Sequence, residues 1–137
     1  MTRARLEAVA ADPAAAGKLL EQAARQLDDA GSPALSPESA YALAYQAALK
    51  ALIGVLLDQG QRVSSGSGGH VVIIREGARV LGIDRDRSSR LDRMRRIRHA
   101  TFYEVDEVSV AMVQSALADA AAVVAAAEAS LDRGPGT

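Results

Sequence analysis

His70-Val71-Val72-Ile73-Ile74-Arg75-Glu76-Gly77-Ala78-Arg79-Val80-Leu81 decides the fold class of this chain. Val71 to Ile74 are β-branched and suit a strand. Over the whole stretch, however, Ile73, Ile74, Gly77, Val80 and Leu81 recur at helical spacing. No second strand candidate is present to pair with it, and a lone strand leaves its backbone groups unsatisfied. The stretch therefore reads as a helix over 70–81, and the chain as all-α.

Upstream, Ser64-Ser65-Gly66-Ser67-Gly68-Gly69 is a flexible connection. It lacks the third glycine of a dinucleotide fingerprint, and neither Lys18 nor Lys50 sits in a phosphate-loop context. Before it, Ser36 reads as an N-cap, with Pro37 at the first helical position and Glu38 in the first turn. This helix runs to Asp58 and Gly60 stops it. Its stripe of Tyr41, Tyr45, Ala48, Leu49, Leu52 and Leu56 is broadened by Leu43, Ile53, Val55 and Leu57, which predicts the most buried element. A first helix over 14–30, with Leu19, Leu20, Ala23, Ala24 and Leu27 in register, ends at Gly31-Ser32-Pro33. Residues 1–13 read as a flexible lead-in.

Downstream, Gly82 to Asp86 is a turn and a fourth helix covers 88–103. A last helix starts near Asp106 or Ser109 and runs to Leu131, with Val113, Ala116, Leu117, Ala120, Val123, Val124, Ala127 and Leu131 in its stripe. Small residues there let helices approach closely, within the chain or across a dimer. Residues 133–137 read as a disordered tail. The sum is one domain, residues 14–132, built as a bundle of about five helices.

Composition agrees. The chain has 137 residues, the length of about one domain. It is 49% apolar but only 3% aromatic, the aromatics being Tyr41, Tyr45, Phe102 and Tyr103. The absence of cysteine excludes disulfides, thiolate metal sites and cysteine nucleophiles. His70 and His99 alone cannot build a zinc site, so neither metal nor cofactor is expected. No apolar run approaches the ~18 residues of a membrane span. Glu7 falls where a signal peptide would begin its apolar region. The expected compartment is the cytoplasm.

The net charge of −1 hides an asymmetry. Residues 1–59 carry −2, residues 60–103 carry +6 and residues 104–137 carry −5. Arg85, Arg87, Arg90, Arg93, Arg95, Arg96 and Arg98 lie in one short stretch. Such a field attracts phosphates even on a neutral protein; the alternative is internal pairing with the acidic remainder.

On a wheel at about 100° per residue, with Leu91 at zero, Met94 falls at about 300°, Arg98 at about 340° and Phe102 at about 20°. Arg98 is thus expected in the middle of an apolar stripe, with Arg95 on its edge and Arg90, Arg93 and Arg96 solvated. A guanidinium facing the core is costly unless it is paired, with Glu38 a candidate, or lines a groove that takes a phosphate. His99 and Tyr103, four apart, share a face. Guanidinium, imidazole and phenol can together address a phosphodiester, the arginine stabilising charge and the histidine moving protons. The catalytic candidates are therefore Arg98, His99 and Tyr103; the nucleic-acid-binding candidates are Arg93, Arg95, Arg96 and Arg98. His70, with no acid near it in sequence, reads as structural.

These residues resemble a known family. Tyr41-Ala42-Leu43-Ala44-Tyr45-Gln46-Ala47-Ala48-Leu49-Lys50-Ala51-Leu52, closed by Gly60, looks like the second helix of HEPN domains (higher eukaryotes and prokaryotes nucleotide-binding). His70 with its apolar helix fits the next element. Met94-Arg95-Arg96-Ile97-Arg98-His99-Ala100-Thr101-Phe102-Tyr103 looks like the family's arginine–polar–histidine segment, and the Ala/Val-rich last helix fits as well. The resemblance spans roughly residues 14–131 and implies an all-α bundle, commonly a homodimer. In active members an arginine and a following histidine form a metal-independent RNase site, and such members serve in toxin–antitoxin and defence systems with a cognate protein partner. Aligned on Arg98, the histidine position here is Tyr103, whose reference pKa near ~10 makes a poor proton shuttle at neutral pH. Pairing Arg93 with His99 instead uses an arginine off the apolar stripe. The resemblance thus implies a non-catalytic protein binding RNA or a nucleotide around Arg98. The alternatives are a metal-independent RNase using Arg98 with His99 or Tyr103, and a protein-interaction module with no nucleic-acid role.

Overall fold

The structure is a computed structural model describing residues 2–103 and 107–133; the side chains of residues 100–103 lie outside that description. In chain order it holds β1 (Leu6–Ala8), α1 (Pro13–Ala30), α2 (Pro37–Asp58), β2 (Gln61–Val63), α3 (Gly69–Leu81), α4 (Arg85–Tyr103) and α5 (Val110–Asp132). The all-α bundle of five helices expected from the sequence is what forms.

Local chemistry sets the helix ends. The Asp12 carboxylate accepts from the Ala15 amide at 3.0 Å, and Pro13 occupies the first position of α1. The Ser36 hydroxyl accepts from the Ser39 amide ahead of Pro37 and opens α2. Gly60, at φ 75°, adopts the left-handed conformation that stops α2, as its place in the sequence predicts. The start of α4 lies three residues earlier than expected. There Asp84 serves as cap, its carboxylate accepting from the Arg87 amide at 2.8 Å. Ser109 opens α5 in the same way, through the Met112 amide.

The most buried helix, α2, packs against all four others. Leu52, Val55 and Leu56 of α2 join Leu91 of α4 and Val123 of α5 as the largest fully buried side chains. Small residues permit the close crossings. A Cβ on Gly54 would stand 2.6 Å from Leu20, and one on Gly77 would stand 2.9 Å from Leu52. The α5 stripe of Ala116, Ala120, Val123, Val124 and Ala127 is buried as expected.

Two expectations are corrected. The lead-in contains β1, which pairs antiparallel with β2 in the register Leu6–Val63, Glu7–Arg62 and Ala8–Gln61. The loop after β2 is tied to the same segment, Ala4 donating to the Ser67 carbonyl at 2.8 Å and Ser67 donating to that of Thr2. Each strand is three residues long and carries too little alternation for periodicity to reveal it. Secondly, α2 and α5 are long and apolar enough to cross a membrane by length and composition, where no such run was expected. Most of that window in α2 is buried in the core; a third of it in α5 is.

Candidate functional site

Burial along the α4 stripe falls from Leu91 and Met94, in the core, to half-buried Ile97 and exposed Arg98. The expected core position of Arg98 is therefore corrected. A wheel gives an angle but not a depth, and this end of the stripe lies at the surface. There Arg98 meets an aromatic face: its Cζ stands 5.8 Å from the centroid of the Tyr45 ring, within cation–π range. Glu38 is exposed in the first turn of α2.

Tyr45 is 3% exposed and belongs to the buried face of α2. Its hydroxyl lies 3.0 Å from Nδ1 of His70, with the two ring planes tilted by 44°. His70 is the second residue of α3, set there by Gly68, whose φ of 77° turns the glycine-rich loop into the helix. Three helices thus meet in a chain of contacts, Arg98 on Tyr45 and Tyr45 on His70. The fold places His70 beside the basic stretch, close enough for Arg98 and Arg95 to act on its ring. No spacing within the sequence links positions 45, 70 and 98, because only the packing of α2, α3 and α4 joins them.

The electrostatics follow from this geometry. Burial lowers the His70 pKa, and the guanidiniums of Arg98 and then Arg95 lower it further. The imidazole is held neutral at neutral pH. Burial pushes the Tyr45 phenol up to about 12, against the downward pull of Arg95 and Arg98 and with a smaller upward push from Asp92. Arg95 is half-buried, its Nε 2.8 Å from Asp92 Oδ1. Arg96, expected to be solvated, is exposed but ion-paired to Asp92 at 3.4 Å.

The remaining candidates lie elsewhere. His99 is exposed and sits about 100° around the helix from Arg98. The Tyr103 side chain lies outside the described residues, and so does any pairing of it with His99. Arg93 is exposed on the opposite flank of α4. Arg90, expected to be solvated, grips Asp119 of α5 through Nε and Nη2 at 3.0 to 3.2 Å, and Arg87 Nε reaches the same carboxylate at 3.0 Å. Asp119 is 3% exposed and requires this compensation. Part of the basic stretch therefore pairs with the acidic segment, and Arg95, Arg98 and His70 lie around Tyr45. Among the described residues no group of three or more His, Asp or Glu could hold a metal ion.

What this corner can do is limited and definite. A guanidinium braced on an aromatic ring can take a phosphate oxygen. A neutral imidazole next to it can donate a hydrogen bond or accept a proton. No protein-family model and no curated protein matches the chain.

Proposed function

We propose that this chain is a HEPN-like helical protein that binds RNA or a nucleotide at the corner formed by Arg98, Arg95, His70 and Tyr45, without cleaving it. One observation carries the reading: Arg98 rests on the ring whose hydroxyl holds His70. A cation and an imidazole are thereby fixed on one buried side chain at the surface of the most basic part of the chain. Phosphate recognition calls for a pre-positioned cation with neighbouring donors. The tyrosine at the family's histidine position supports binding rather than turnover. A homodimer belongs to the same reading, since α5 leaves the small residues Ala118, Ala121 and Ala125 exposed. A toxin–antitoxin or defence setting, with a cognate protein partner, follows from the resemblance alone.

A second reading is favoured by His70. A neutral imidazole near Arg98 can stand in for the missing motif histidine and accept the proton of a ribose 2′-hydroxyl. That makes the protein a metal-independent endoribonuclease with His70, rather than His99 or Tyr103, as base.

The test is fluorescence anisotropy of a labelled single-stranded RNA between about 50 and about 200 mM salt, in EDTA, with gel analysis of the same samples. Salt-sensitive binding of intact RNA, lost in Arg98→Ala, is expected. Cleavage in EDTA that disappears in His70→Ala establishes the second reading. Absence of binding and cleavage by the wild type overturns both and leaves a protein-interaction module.

A further inference from the structure

The other flank of α4 carries a separate cluster. Arg90, Arg93, Met94 and Ile97 share a helical face, and α5 presents Met112, Ser115 and Asp119 across a gap. The gap is a cavity of about 270 Å³ that Tyr41 of α2 also lines. Its charges are unequal. Asp119 is taken by Arg87 and Arg90, which leaves that end compensated. Arg93 is exposed, lines the cavity and has no acidic partner among the described residues. Its charge reaches Tyr41: burial raises the phenol's pKa, Arg93 opposes that, and Asp119 adds to it. Tyr41 therefore stays protonated at neutral pH and keeps a proton to donate.

We propose that this cavity binds a small carboxylic acid with an apolar body. Its carboxylate lies on Arg93, and its hydrocarbon part lies between Met94, Ile97 and Met112. The charge count sets the head group: one guanidinium without an acidic partner matches one negative charge, and its fork suits a carboxylate. Tyr41 and Ser115 supply hydroxyl donors beside it. The thioether and aliphatic side chains set the body, because they reward apolar surface and offer nothing to a polyphosphate. The volume sets the size, lying below the roughly 300–1,000 Å³ of sites for drug-sized ligands. This site is independent of the Arg98 corner, since Arg93 and Arg98 point about 140° apart around α4.

The probes are hexanoate, 1-hexanol and inorganic phosphate, each titrated into 15N-labelled wild type, Arg93→Gln and Arg96→Gln at neutral pH. Both arginines are exposed, so both variants fold. Hexanoate is expected to shift the amides of Ile97, Met112 and Ser115 saturably, with affinity at least about tenfold weaker in Arg93→Gln and unchanged in Arg96→Gln. Hexanol is expected to bind weakly and equally to all three proteins, and phosphate not to saturate these amides. The proposal is overturned if hexanoate fails to saturate by about 10 mM, if Arg93→Gln binds it as well as wild type, or if phosphate binds as tightly as hexanoate.

Discussion

The Tyr45 hydroxyl and Nδ1 of His70 stand 3.0 Å apart, joining the core face of α2 to the first turn of α3. The bond survives either charge state of the ring. A neutral imidazole accepts from the phenol, and a protonated one donates its Nδ1–H to the phenol oxygen. Tyr45→Phe removes the bond and keeps the ring under Arg98. Its expected cost is about 1 kcal/mol in urea unfolding, with RNA affinity falling less than in Arg98→Ala. Equal losses of affinity in the two variants would mean that the hydroxyl, rather than the cation, holds the ligand.

The depressed His70 pKa gives stability a pH dependence of known sign. In the unfolded chain this histidine titrates near its ordinary 6.5, and in the folded protein below it. Its contribution is therefore complete above about 6.5 and is lost as pH falls through the lower folded value. Tyr45 acts at the other extreme. With its folded pKa at about 12 against an ordinary 10.0, its contribution is complete below 10.0 and declines toward about 12. Proton NMR of the imidazole should place His70 below 6.5, and Arg98→Ala should raise it. An unchanged value in that variant would remove Arg98 from the histidine's surroundings.

Asp119 is the electrostatic tie between α4 and α5. Asp119→Ala leaves two arginines without their shared carboxylate. Both are partly solvated, so the loss is discounted from that of a fully buried pair, to about 2 kcal/mol in urea unfolding. Arg90→Ala should cost less, because Arg87 still satisfies the carboxylate. A larger loss in Arg90→Ala than in Asp119→Ala would contradict this division.

Three glycines on helices should respond with opposite signs. Gly54→Ala and Gly77→Ala drive a methyl into Leu20 and Leu52 and should destabilise by about 1–3 kcal/mol. Gly17 has nothing within 4 Å of an added Cβ, so Gly17→Ala should stabilise α1 by about 0.5–1 kcal/mol. Thermal midpoints of the three variants check this directly.

The helices were legible because their signals are local. Ser36 with Pro37 opened α2, Gly60 closed it, and the spacing of Ile73, Ile74 and Gly77 identified α3 as a helix despite its β-branched start. The β1–β2 pair escaped because three-residue strands whose partners lie 53 to 57 positions apart leave no period to count. The wheel singles out Arg98 by angle alone. Its angle on the helix was right, but its depth depends on where α4 leaves the core. The Arg90–Asp119 tie and the Tyr45–His70–Arg98 contacts cross between helices; the charge asymmetry allows internal pairing in general, but a single sequence does not name the partners. The neighbours of His70 are likewise set by the fold, through Tyr45 and Arg98.

The most direct measurement of the central claim is the His70 pKa with and without bound RNA, followed by NMR of its ring. A phosphate seated at Arg98 puts negative charge beside an imidazole that burial and two guanidiniums now hold low, so the pKa should rise on binding. An unchanged His70 pKa in protein saturated with RNA would place the nucleic acid elsewhere and contradict the assignment of this corner.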